Sequence, residues 1–345
     1  MSNTPSMSNT PMTGTFESGP PTSPTRRFDR GDLRRRLIQD SGLLIALIVA
    51  VIVFSLTAPN FATEQNILNV LRQASFAGII AMGMTLVIVS AEIDISVGAN
   101  VALSSAVLGV LYANVGLPMW LVLILVVLMG LAIGMFAGFL RAKWNLPSFI
   151  ATLALFLGLR GLAEVISQQR TIPVSDPLMT FLNSNPLGLP LPTWLLIITF
   201  LAAWFVTTRT SFGRTVYAVG GNASAARLAG LKVDRTRIAV FAITGTLAAI
   251  VGILFTARIS SSTAVIGNGL EFEVIAAVII GGTSLMGGRG SVVGTLLGVL
   301  FVTVLGNALV LYGVSSPAQN IVRGAIVVIA VLLTNVQTGL IRQKN

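Results

Sequence analysis

The chain has 345 residues, of which 54% are hydrophobic and only 10% charged, with a formal charge of +10 and neither cysteine nor histidine. Soluble domains carry about 25% charged residues, so lipid must cover much of this surface. The missing Cys and His exclude disulfides, thiolate or imidazole metal sites, Cys nucleophiles and His general bases. The fold class expected is all-α: a polytopic membrane helix bundle.

Taken in chain order, residues 1–40 form a polar tail. Ser, Thr, Pro, Asn and Gly dominate to Ser23, and Arg26, Arg27, Arg30, Arg34, Arg35 and Arg36 follow. Such a segment cannot bury enough apolar surface to fold, which predicts a disordered cytoplasmic tail. It is too long and polar for the n-region of a cleaved signal peptide, so the apolar run from Leu43 is predicted to be a retained helix. A transmembrane domain is predicted over 41–340. Apolar runs near 42–58, 68–89, 97–114, 119–140, 148–167, 192–208, 237–257, 272–286, 290–312 and 319–335 predict about ten transmembrane helices.

Charge sets the orientation. With the N-terminus inside and an even number of spans, both termini are cytoplasmic, and 17 of the 22 Lys and Arg fall on the inner side. The basic balance is then topology plus attraction to anionic headgroups, which removes the argument for nucleic acid. Gly130, Gly134 and Gly138 recur every fourth residue in one run, and Gly290, Gly294 and Gly298 in another. Stripes of this kind let helix backbones approach closely in lipid, which predicts helix packing.

Four stretches could carry chemistry. The string Gly282 to Arg289 lacks the Lys and Ser/Thr of a phosphate-binding loop, so no nucleotide site is expected. Between apolar runs, Glu92, Asp94 and Ser96 place two carboxylates and a hydroxyl at a polar break. Ionisable groups at membrane depth point to a transport path, and the plainer alternative is a polar turn with Asp94 or Ser96 capping a helix. The inner loop 208–237 carries +5; within it Asn222 to Gly230 reads as a short capped helix suited to docking a soluble partner, against an ordinary solvated loop. Glu271 and Glu273 flank the outer entrance of the eighth run and do not share a helix face. A catalytic carboxylate pair is not expected there; ion pairing with Arg258 or Arg323 is.

These strings bring a family into view. Gly83-Met-Thr-Leu with Glu92-Ile-Asp-Ile-Ser-Val-Gly98 resembles a signature of the inner-membrane permease subunits of bacterial ABC importers for monosaccharides, the ribose/xylose/arabinose type. Leu146 to Leu153 with Arg160-Gly161 is similar to a second element of that family, Gly213 to Gly230 to its cytoplasmic coupling loop, and Glu273 to Gly290 to a further long signature. The resemblance runs from about residue 40 to 335, and no signature of the distantly related branched-chain amino-acid permeases is visible. One departure is Ala91-Glu92, where many relatives carry Gly-Gly.

The resemblance implies a non-enzymatic permease subunit in the bacterial cytoplasmic (inner) membrane. It binds no cofactor itself, and ATP is used by a partner ATPase. Further partners implied are a second permease subunit, as homo- or heterodimer, and a periplasmic or surface-tethered sugar-binding protein, within the lipid bilayer. The translocation path is expected at Glu92, Asp94, Ser96, Asn100, Ser148, Phe149 and Thr152. The ATPase-coupling loop is expected at Gly213, Arg214, Gly221, Asn222, Ala226, Arg227 and Gly230, and receptor docking at Arg170 and Arg258, among the scattered outer arginines Arg72, Arg170, Arg258 and Arg323. The cargo expected is a monosaccharide or related polyol. The competing reading is an ion-coupled secondary sugar transporter with Glu92 and Asp94 as ion ligands.

Overall fold

A computed structural model describes the backbone from residue 30 and side chains from residue 42 continuously to residue 315, with scattered residues between 317 and 328. The expected tail up to residue 29, most of the tenth run and Arg323 lie outside the described residues. The first helix, α1 (Arg30–Thr57), starts well before Asp40, where the polar tail was expected to end. Arg and Leu are good helix formers, and the basic stretch simply extends the apolar helix behind it.

The chain then forms α2 (Glu64–Val89), α3 (Val97–Gly109, continued by a π-turn over Val110–Asn114), α4 (Met119–Lys143) and α5 (Ser148–Ser167). A short α6 (Pro177–Leu182) precedes α7 (Leu191–Arg209), α8 (Ser211–Gly221), α9 (Ala223–Leu228), α10 (Val233–Ile259), α11 (Leu270–Ile280) and α12 (Val292–Leu311). Seven of these, α2, α3 with its π-turn, α4, α5, α7, α10 and α12, are long and apolar enough to cross a bilayer, and α1 adds the shorter apolar stretch Gly42–Thr57.

The helices sort by burial. The apolar window of α2 is 89% buried, whereas that of α5 is 22% buried. Helices α2, α3 and α10 thus make the centre, and α4, α5 and α7 carry their apolar side chains on the outside, as lipid requires. Polar side chains join the inner helices in pairs: Thr85 with Thr295 at 2.8 Å, Thr256 with Ser105 at 2.8 Å, and Asn66 reciprocally with Asn307 at 2.9 Å. Such contacts spare buried hydroxyls and amides the cost of facing hydrocarbon unpaired.

The α4 glycines do pack helices together. A Cβ at Gly130 would stand 2.6 Å from Gly245 O, one at Gly134 2.9 Å from Ala242 Cα, and one at Gly138 2.6 Å from Ile238 Cα, all on α10. The second stripe needs correcting. Gly294 and Gly298 lie on α12 against Gly281 and Ala277, but Gly290 precedes the helix, whose N-cap is Ser291.

The eighth run, short already in the sequence, is helical only over α11, which is 11 residues long. That is about 16 Å of helix, roughly half of the hydrocarbon core. Gly282 adopts φ +85 and ends it, a conformation glycine takes without penalty. A two-stranded antiparallel pair, β1 (Ile172–Pro173) with β2 (Ser261–Ser262), ties the far ends of α5 and α10 together.

Candidate functional site at a broken helix

The backbone stops being helical between Val89 and Val97, inside the protein. Ser90, Glu92, Asp94 and Ser96 are all buried there, and exposed amides at that depth would be costly. Most of these amides find a partner. Glu92 N donates to Val87 O, Ile93 N to Ser148 Oγ at 3.1 Å, Ile95 N to Thr152 Oγ1 at 3.2 Å, and Ser96 N to Asp94 Oδ1 at 2.9 Å. Ser148 and Thr152, expected to line a path, stand one turn apart on α5 and hold the unwound segment.

The two carboxylates do different things. Asp94 Oδ1 also accepts from Ser96 Oγ at 2.6 Å, closing a turn ahead of α3. Glu92 is gripped by arginines from two other helices. Arg141 Nε, at the end of α4, donates to both carboxylate oxygens at 2.9 Å, and its Nη1 donates to Asn145 Oδ1. Arg237 Nε, in the first turns of α10, lies 2.7 Å from Glu92 Oε1. Its N–H does not point at that oxygen, so the contact is ionic rather than a hydrogen bond. Glu92 therefore clamps the break to α4 and α10 and is not a free group in a channel. Asn100 likewise donates to Gly245 O at 3.0 Å and joins α3 to α10. Of the seven expected path residues only Phe149 is exposed, at 49%.

Next to the break lies the basic end of the bundle. Here α8 and α9 follow each other, each capped by a side chain: Thr210 Oγ1 accepts from Gly213 N and Asn222 Oδ1 from Ala225 N. Gly230, at φ +81, turns the chain toward α10. Helix α8 escaped the sequence reading. Its signal was present in the Thr210 cap and in Phe212, Val216 and Val219 at helical spacing. Gly213 packs on Val206 and Thr207 of α7, Gly221 lies on the surface side of the α8 end, and Ala226 is buried between Val219 and Val233. Arg227 pairs with Asp234 at 2.9 Å, and Arg214 is on the exposed side of α8.

Gly220 is the contact between this unit and the break. It packs against Val89 O at the end of α2, and a Cβ there would also stand 2.7 Å from Gly288 N. Gly288 N donates to the same Val89 O at 2.8 Å, and Tyr217 Oη donates to Gly290 O at 3.0 Å. Three segments thus meet on backbone atoms within one turn of Glu92.

At the opposite end the two expected docking arginines separate. Arg170 is exposed. Arg258 is half-buried, donates to Asn69 Oδ1 at 3.4 Å and stacks 5.6 Å from the Phe76 ring centroid, so it braces α10 against α2. Arg72 reaches Asn185 Oδ1 at 2.7 Å and holds the segment before α7. Among the described residues Glu271 and Arg258 form no ion pair, and Arg323 lies outside them.

The comparisons with known proteins agree with this architecture. A family profile described as "Branched-chain amino acid transport system / permease component" matches residues 66–331. The chain is 47% identical over 298 residues to "Probable ABC transporter permease protein YphD" of Escherichia coli (strain K12), covering 86% of this chain and 90% of that protein. It is 41% identical over 297 residues to "Ribose import permease protein RbsC" of the same strain, covering 85% and 92%. It is 33% identical over 353 residues to "Xylose transport system permease protein XylH", also of that strain, covering 84% and 90%. The sequence reading held the branched-chain permeases at a distance; the profile joins them to this chain in one broad family, within which two of the three named relatives are named for ribose and xylose. The chain is a multi-pass membrane protein and belongs to the ABC-transporter permease family of the ribose/xylose type.

Proposed function

We propose that this chain is the membrane-spanning subunit of an importer that carries a monosaccharide or related polyol across the bacterial cytoplasmic membrane. A separate ATPase hydrolyses ATP at its basic end, a second permease subunit completes the pore, and a sugar-binding protein delivers cargo at the opposite end. About ten crossings with both termini inside fit the charge asymmetry, the eighth made by residues 263–269 together with the half-length α11, because basic segments stay on the cytoplasmic side. The names of the relatives support sugar as cargo. The competing ion-coupled reading needed Glu92 and Asp94 as ion ligands, but Arg141 and Arg237 hold the Glu92 carboxylate and Ser96 occupies Asp94 Oδ1.

The observation that carries the proposal is the seat of α8 and α9 on the broken helix. A push on this unit is delivered through Gly220 to Val89, at the edge of the break. Leu228, at the end of α9, is 91% exposed, an apolar side chain presented among basic ones. It is a better test than Ala226, whose burial would confuse docking with folding. In the importer reconstituted with its ATPase and binding protein, Leu228→Asp is expected to leave membrane insertion intact and to abolish sugar-stimulated ATP hydrolysis. Stimulation equal to wild type would remove α9 from the docking surface.

A further inference from the structure

Sequence position puts Glu271 at the outer mouth of a span, but the structure puts it deep in the bundle. β2 lies beside the far end of α3, where Ser262 meets Gly109. From there the chain drops along α3, and Glu271 comes to rest against Gly98, in the first turn of that helix. Gly98 and Gly109 are eleven residues apart, so the carboxylate sits roughly 16 Å below β2. That is about the middle of a 30 Å hydrocarbon core. Only glycine leaves room at 98, because any Cβ would meet the carboxylate and would also stand 2.7 Å from Gly267 O.

Glu271 is 1% exposed, and its Oε2 has no hydrogen-bond partner. Across the strap that precedes α11 stands a second unsatisfied group. Arg160 of α5 donates through Nη1 to Ala264 O at 2.9 Å and to Ile266 O at 3.2 Å, while its buried Nη2 has no partner. Neither residue belongs to the ion pairs found among the described residues. A carboxylate and a guanidinium at membrane depth, each with one polar atom left open, are expensive to keep. The strap between them is thinly held: Val265 is 73% exposed and Phe272, just past Glu271, 59%. On the α5 side a Cβ at Gly161 would meet nothing within 4 Å.

We propose that Glu271 and Arg160 are a hydroxyl-binding pair in the outer half of the translocation path, covered by the strap over residues 263–269. The chemistry fits a neutral polyhydroxylated solute. A carboxylate oxygen accepts from one hydroxyl and a guanidinium N–H donates to a neighbouring one, so both open atoms are satisfied without moving net charge. The pair rests on the reading of the chain as a sugar permease and adds to it a place where the sugar is gripped inside the membrane.

The test uses the reconstituted importer with its parent sugar and the monodeoxy analogues of that sugar. Wild type is expected to move one analogue about ten-fold less efficiently in kcat/KM, the scale of one lost hydrogen bond to a charged group. Glu271→Gln and Arg160→Lys are expected to shrink that ratio toward one. The same binding protein serves every variant, so its own selectivity cancels. Full wild-type discrimination at each hydroxyl in both variants would overturn the pair while leaving the sugar permease reading intact. A wild-type importer that moves no sugar would overturn that reading and the pair with it. A second measurement does not depend on these variants assembling. The chain has no cysteine, so Asn268→Cys on the strap gives a single thiol. Its labelling by an impermeant maleimide during turnover is expected to slow at least about two-fold with the transported sugar, as a bound solute or closed strap would shield it. Equal rates with transported and untransported sugars would also overturn the proposal.

Discussion

At the scale of single residues the decisive group is Glu92. Two arginines from separate helices converge on it, and it is buried, so removing its charge strands both cations. Loss of one partner of a buried ion pair costs roughly 3–5 kcal/mol. Glu92→Ala is therefore expected to lower the thermal unfolding midpoint of the detergent-solubilised subunit sharply, and Glu92→Ala with Arg141→Ala to cost less than the sum of the singles. Additive losses would mean that the two side chains do not stabilise each other. Its neighbour Ala91 has φ +62, a left-handed conformation that costs a non-glycine residue about 1–2 kcal/mol. Glycine relieves that strain but gains freedom in the unfolded chain, so Ala91→Gly is expected to stabilise by up to about 1 kcal/mol. A lower unfolding midpoint would show that the Ala91 methyl packing against Gly287 outweighs the strain.

At the scale of elements the glycines divide into two kinds, although the sequence shows them alike. Gly134 faces the backbone of α10 at Phe241 and Ala242, whereas a Cβ at Gly158 of α5 would meet nothing within 4 Å. Gly134→Val is expected to force α4 off α10 and to lose several kcal/mol, as overpacking typically costs about 1–3 kcal/mol even where neighbours can shift. Gly158→Ala is expected to be neutral or to stabilise the isolated subunit by about 0.5–1 kcal/mol, the helix propensity gain. Comparing the melting of the two variants checks both statements. If Gly158→Ala destabilises only the assembled importer, that face of α5 meets another chain. The same elements show what periodicity hides. It predicted the start of α5 and the whole of α3, because lipid-facing and core-facing helices are both apolar for their full length. It showed α11 as short but not where it ends, because an apolar run does not reveal whether a left-handed glycine cuts it.

At the scale of the whole molecule the arginines of the outer end test the direction of transport. Arg170 is exposed and free to meet a carboxylate on a delivering protein, whereas Arg258 stacks on Phe76 inside the bundle. Rim ion pairs contribute about 0–1 kcal/mol, so Arg170→Glu is expected to raise the half-saturation for the binding protein by up to about five-fold, more at low salt. Arg258→Glu is expected to reduce the yield of folded protein instead. An unchanged concentration dependence with Arg170→Glu would exclude it as a receptor contact.

The sequence by itself determined that the chain is a membrane-embedded helical bundle, which end is basic, where the polar break falls and which family it belongs to. These follow from local rules: hydrocarbon demands long apolar helices, the charge of short loops sets orientation, and family strings are contiguous. Only the tertiary structure decided what the polar residues do. Glu92 and Asp94 look equivalent in sequence, but Arg141 and Arg237 reach only Glu92, from positions 49 and 145 residues away in the chain. Ser148 and Thr152 are two small polar residues of α5 in sequence, and only the fold shows that the amides they satisfy belong to another segment. Glu271 read as an outer residue because a strap that dips into the bundle has the same composition as a loop outside it. In each case the partner is distant in sequence, and the role of a polar side chain in hydrocarbon is set by that partner.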